Sequence, residues 1–74
     1  MDPNANLARQ RTILAELRDM DARIERAEAR GEGTDMLEEE QLSLLSELAD
    51  LAEALDGWLS KGGFLPAAWE RASA

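Results

Sequence analysis

Carboxylates dominate the side chains able to carry chemistry: sixteen Asp and Glu stand against eight Lys and Arg, with no His, Cys or Tyr. Catalysis calls for a nucleophile, an acid–base pair or a metal held in a partly dry cleft. The serines, Ser43, Ser46, Ser60 and Ser73, follow no nucleophile motif, and without histidine no usual base would activate them. Acidic residues at helical spacing, such as Glu39 beside Ser43 and Glu47 beside Asp50, read most simply as a solvated face. Di-metal carboxylate bundles combine Glu with Glu-x-x-His pairs turned into a core. This chain has neither the histidine nor the inward pattern, and a zinc site would have only carboxylates to use. Gly31, Gly33, Gly62 and Gly63 match no phosphate-binding loop, and their acidic surroundings would repel phosphate. The expectation is a protein that is not an enzyme and uses no cofactor or metal.

Charge narrows the partners. The net charge is −8, and it is unevenly placed. Residues 1–30 hold six bases and six acids, whereas residues 31–61 hold nine acids and only Lys61. Such a field repels nucleic-acid backbones and anionic lipid. The arginines of the first segment, Arg9, Arg11, Arg18, Arg23, Arg26 and Arg30, alternate with Glu16, Asp19, Asp21, Glu25 and Glu28. Pairs such as Asp19 and Arg23 stand at ion-pair spacing on a helix, so a salt-bridged solvent face is expected and direct nucleic-acid binding is not. No apolar stretch approaches the roughly 20 residues that cross a bilayer. The start of the chain has no basic region followed by an apolar run, so no signal peptide is read there. A cysteine-free chain of this kind suits a reducing cytoplasm.

The elements that position these residues follow from two seven-residue apolar rhythms. In the first, Ile13, Leu17, Met20, Ile24 and Ala27 alternate in steps of four and three. In the second, Leu37, Gln41, Leu44, Leu48, Leu51, Leu55 and Trp58 do the same. That is the period of helices packed on helices. A helix is expected over residues 5–30, with Asn4 or Asn6 as its cap, a loop over 31–34, and a second helix over 35–61. Thr34 or Asp35 would cap the second helix, and Asp35 with Glu38 has capping-box spacing. Gly31 and Gly62-Gly63 supply the stops. Two long helices joined by a short loop form an antiparallel hairpin. Residues 62–74 form a cap segment, with Pro66 opening a short third helix to Arg71.

The fold class is therefore all-α. Each helix carries an apolar arc wider than a pair alone needs, because Leu7 and Leu14 add to the first seam and Leu45, Ala52 and Leu59 to one flank of the second, with Leu42 on another. Covering several leucines at about 25 cal/mol per Å² is worth several kcal/mol, comparable to the net stability of a small domain. A second copy is the simplest cover, giving a homodimeric four-helix bundle with Leu14, Leu45, Ala52 and Leu59 at the interface; the competing covers are a heterologous partner and the C-terminal segment folding farther back. Gln10 and Gln41 interrupt the seams and could fix register.

The block Leu51–Trp69, LAEALDGWLSKGGFLPAAW, resembles a C-terminal signature of small acidic proteins of actinobacteriophages, mycobacteriophages among them, of the form LxEALDxWLxxGGFLPxxW. The matching residues are Leu51, Glu53, Ala54, Leu55, Asp56, Trp58, Leu59, Gly62, Gly63, Phe64, Leu65, Pro66 and Trp69. The resemblance covers about a quarter of the chain. It implies a phage origin and expression in a bacterial host cytoplasm, and supplies no activity.

These readings converge on a self-associating interaction protein that binds a host or phage protein. Trp58, Phe64, Pro66 and Trp69 are expected first as a core that caps the end of the bundle; the alternative is that Trp58, Phe64, Leu65 and Trp69 form a docking surface, since tryptophan is enriched at binding hot spots. Glu47, Asp50 and Glu53 form an acidic one. Two rivals remain: an acidic nucleic-acid mimic that fills the basic groove of a DNA-binding protein, with Glu39, Glu40 and Asp56 as further candidates, and a small structural or assembly component of a virion.

Overall fold

The computed structural model describes residues 1–72, which form α1 (Pro3–Ala29), α2 (Asp35–Ser60) and α3 (Ala67–Ala72). Ser73 and Ala74, the end of the expected cap segment, lie outside the described residues. The domain is all-α, and α1 and α2 pack as the antiparallel hairpin that the two rhythms require.

Helix α1 begins earlier than expected, and a different residue caps it. The Asp2 carboxylate accepts hydrogen bonds from the backbone N–H groups of Asn4 (2.9 Å) and Ala5 (3.2 Å), and Pro3 takes the first helical position. Proline suits that position because its missing N–H is not needed there and its φ is already helical. Asn4 and Asn6 are thereby released for longer-range roles. At the other end the N–H of Glu32 reaches the Ala27 carbonyl oxygen (2.9 Å) and that of Gly31 reaches Glu28 (3.0 Å), with Gly31 at φ 72°. That double closure satisfies carbonyls the helix would otherwise leave open, and the left-handed turn costs glycine nothing.

Helix α2 ends in the same way. Gly63 N–H bonds the Trp58 carbonyl oxygen (2.9 Å), Gly62 N–H bonds that of Leu59 (3.1 Å), and Gly62 sits at φ 89°. Its start departs from the expected capping box: Thr34 holds the cap position, but its hydroxyl donates to the Glu38 carboxylate (3.0 Å) rather than accepting from the backbone. Helix α3 starts one residue after Pro66, whose carbonyl oxygen accepts from Trp69 N–H (2.9 Å) and Glu70 N–H (3.3 Å). The Asn4 side-chain oxygen accepts from the Ala67 N–H (2.7 Å), tying α3 to the beginning of α1.

The core is a single line of contacts. Its buried apolar residues are Leu7, Ile13, Met20, Ala27 and Leu55, and Ile13 is fully enclosed. Asn6, Ile13, Met20 and Ala27 recur every seven residues and are all buried, so the α1 seam reaches one heptad farther toward the N-terminus than its apolar residues indicate. On α2 only Leu55 is buried, while Leu37, Gln41, Leu44, Leu48, Leu51 and Trp58 are half-covered. The reason is geometric. Two helices side by side make one layer, and the molecule measures 50 × 24 × 14 Å. Its radius of gyration is 15.9 Å, against roughly 11 Å for a compact chain of this length. Domains usually pair two layers around a core; this one has a seam.

Candidate functional site

Three polar links fix how α2 lies along α1. Asn6 Nδ2 donates to the Leu51 carbonyl oxygen (3.0 Å), and Asn6 Oδ1 accepts from Gln10 Nε2 (2.7 Å), so both ends of the buried amide are engaged. A polar residue inside a helical seam specifies register, because a shifted partner would leave it unpaired. In this hairpin Asn6 takes that position, and Gln10 orients it. Farther along, Gln41 Nε2 donates to Asp21 Oδ1 (2.7 Å). Arg9 grips Glu47 with two donors, Nε to Oε2 (2.6 Å) and the terminal nitrogen to Oε1 (2.9 Å). This fork holds the Glu47 carboxyl below its ordinary pKa, chiefly through the hydrogen bonds, against a smaller opposing effect of desolvation, and raises that of Arg9. Asp19 and Arg23 also meet, at 3.6 Å.

The C-terminal aromatic residues close one end of the hairpin. Trp58 Nε1 donates to the Phe64 carbonyl oxygen (3.0 Å), and the two rings meet edge to face with centroids 5.4 Å apart. The pyrrole edge of Trp58 lies against Gly63, in the space a Cβ on that residue would need. Trp58 is thus a clasp over the Gly62-Gly63-Phe64 turn, while Phe64 and Leu65 project into solvent.

Two shallow grooves flank this end. The larger, of about 510 Å³, is lined by Met1, Asp50, Glu53, Ala54, Gly57, Trp58 and Lys61. The smaller, of about 200 Å³, is lined by Gln10, Ala52, Leu55, Asp56, Leu59 and Trp69. At about 100° per residue, Glu47 and Trp58 fall on one side of the α2 seam, and Leu45, Ala52 and Leu59 on the other. The surface expected to unite Trp58, Phe64, Leu65 and Trp69 is therefore divided: Trp58 and Phe64 pack together, whereas Trp69 lines the groove of Ala52 and Leu59.

Of the expected acidic residues, Glu47 is taken by Arg9, while Asp50 and Glu53 line the Trp58 groove. Of the expected interface residues, Leu14 and Leu45 are exposed, Ala52 is exposed at a groove edge, and Leu59 is half-buried beneath it. Sequence reasoning missed Gly57. It lies within α2 without a positive φ, and a Cβ there would meet nothing within 4 Å. A helical glycine costs roughly 1 kcal/mol relative to alanine, which was the signal available in the sequence.

Among the described residues no group of three or more acids is placed to hold a metal ion, and no buried side-chain polar atom lacks a hydrogen-bond partner. No helix among them is long and apolar enough to cross a membrane. Compared with protein-family models, curated proteins and solved structures, the chain finds no match.

Proposed function

We propose that this protein is a non-enzymatic interaction module, a helical hairpin that pairs with a second copy of itself and presents its Trp58 end to a protein partner. The observation that supports this reading most is the exposure of large apolar side chains on a one-layer molecule. Leu45 is 46% exposed and Phe64 60%, and Leu14, Leu42 and Leu65 are exposed as well. Leu14 on α1 and Leu45 on α2 extend the seam on the flank that carries Ala52 and Leu59. A second hairpin laid there completes a four-helix bundle and supplies the missing layer. The resemblance in Leu51–Trp69 supports a phage protein working in the cytoplasm of its bacterial host, with a host or phage protein as the partner.

Sedimentation across a range of concentrations tests the self-association. The reading requires a dimer whose dissociation on dilution lowers the melting temperature. A monomer at high micromolar concentration would refute it.

The acidic-mimic reading draws on the exposed carboxylates of α2, Glu39, Glu40, Asp50, Glu53 and Asp56. Capture of a basic DNA-binding protein that collapses between low and high salt would favour it, whereas an aromatic dock responds little.

A further inference from the structure

We propose that the groove beside Trp58 is a docking site for a cationic amphipathic helix of a partner protein, with Gly57 as the seat for one of its apolar side chains. This rests on the interaction-module reading and names the chemistry of its partner.

Three observations converge. Part of the lining is apolar: Met1, Ala54, Gly57 and Trp58. The glycine is not explained by its own fold. Gly31 and Gly62 need a left-handed backbone, Gly63 lies beneath an indole and Gly33 lies in the loop before α2, whereas Gly57 stands inside a helix with open space where a side chain would stand. Nothing among the described residues excludes alanine there, so the vacant position is available to a neighbour. The rim supplies the sign of that neighbour: Asp50 and Glu53 flank the groove at one end and Lys61 stands at the other. Along α2 the separation from Asp50 to Lys61 is about 16 Å, three turns of a docked helix. Basic residues on the docked helix would meet Asp50 and Glu53, its apolar stripe would lie against Trp58, and Lys61 would set its direction. Trp58 is already fixed by its bond to Phe64, so the pocket wall loses little freedom on binding.

The groove lies on the opposite side of the α2 seam from Leu45, so the two surfaces can be tested separately. Isothermal titration of the full chain with a synthetic helical peptide, leucine on one face and lysine on the other, should give saturable binding. A shuffled isomer of equal charge should bind far more weakly. Gly57→Leu should keep its helical circular dichroism and weaken the peptide by about tenfold or more, because the seat is filled. Gly57→Ala should raise the melting midpoint by a few degrees, since the fold itself makes no use of the glycine. The double change Asp50→Asn with Glu53→Gln should weaken binding and flatten its salt dependence.

Failure of the wild-type chain to bind the peptide overturns the proposal. So does equal binding of the shuffled isomer, or a Gly57→Leu affinity within about twofold of wild type. None of these results bears on self-association, which sedimentation decides on the unmodified chain.

Discussion

The indole of Trp58 occupies the place where a Cβ of Gly63 would project, and its N–H reaches one residue farther to the Phe64 carbonyl oxygen. A tryptophan on the last turns of α2 is thereby held across the turn that follows, and the turn is held by the tryptophan. Gly63→Ala should displace the ring, break the bond to Phe64 and cost about 1–3 kcal/mol, the range for forcing atoms into occupied space. Chemical denaturation followed by tryptophan emission checks this. An unchanged midpoint would show that the clasp does not hold the turn.

Asn6 should be the most sensitive polar position. Asn6→Ala removes the bonds to Leu51 and Gln10 together and leaves a small void, for an expected loss of about 1–2 kcal/mol. Asn6→Asp should be worse at neutral pH, because a carboxylate cannot donate to the Leu51 carbonyl and would be charged where it is buried. Lowering the pH protonates that carboxyl and restores a donor, so in acid Asn6→Asp should approach wild type while Asn6→Ala should not. Melting curves of both variants at neutral and acidic pH give the comparison.

The Arg9–Glu47 pair gives a pH dependence of known sign. Its hydrogen bonds hold the folded-state pKa of Glu47 below the unfolded value. The contribution is therefore present above the unfolded pKa and is lost as pH falls through the lower, folded one. Arg9, raised from an already high value, stays charged throughout and adds no slope. Wild type should lose melting temperature on acidification through the carboxylate range more steeply than Glu47→Gln. The difference should be small, because both side chains are 42% exposed and solvent screens them.

Leu45→Glu should separate assembly from folding. Leu45 lies off the α1 contact and is already half in water, so the hairpin should keep its helicity. Burying a carboxylate at a paired interface is costly, so the proposed dimer should weaken by about 100-fold or more. Sedimentation of the variant beside wild type measures this. Undiminished association would place the contact elsewhere.

The hairpin was legible in the sequence because its evidence is repeated: each heptad of Ile13, Met20 and Ala27, or of Leu37, Leu44 and Leu51, states the same period again. Gly31 and Gly62 were legible because few other residues take a left-handed backbone. The beginning of α1 was misread because Asn4 and Asn6 are good caps in isolation, and only Pro3 marked Asp2 as the boundary. Asn6 reads as a cap and not as a seam residue for a related reason: a polar side chain breaks an apolar pattern, yet here it continues the seam by bonding to Leu51. Closeness in sequence groups the aromatic residues into one cluster, whether capping core or docking surface. The turn at Gly62-Gly63 and the Asn4–Ala67 bond send Trp69 to a different groove from Trp58, and such a long-range tie has no local pattern. Gly57 was visible throughout, but its meaning depended on the empty space above it.

A body only 14 Å deep keeps no residue far from water. Small openings of either long helix bring the Ile13 line within reach of solvent, and with it any protease that waits for such openings. A second molecule laid on either flat side would suppress those openings, so a covered copy would outlast a bare one under digestion.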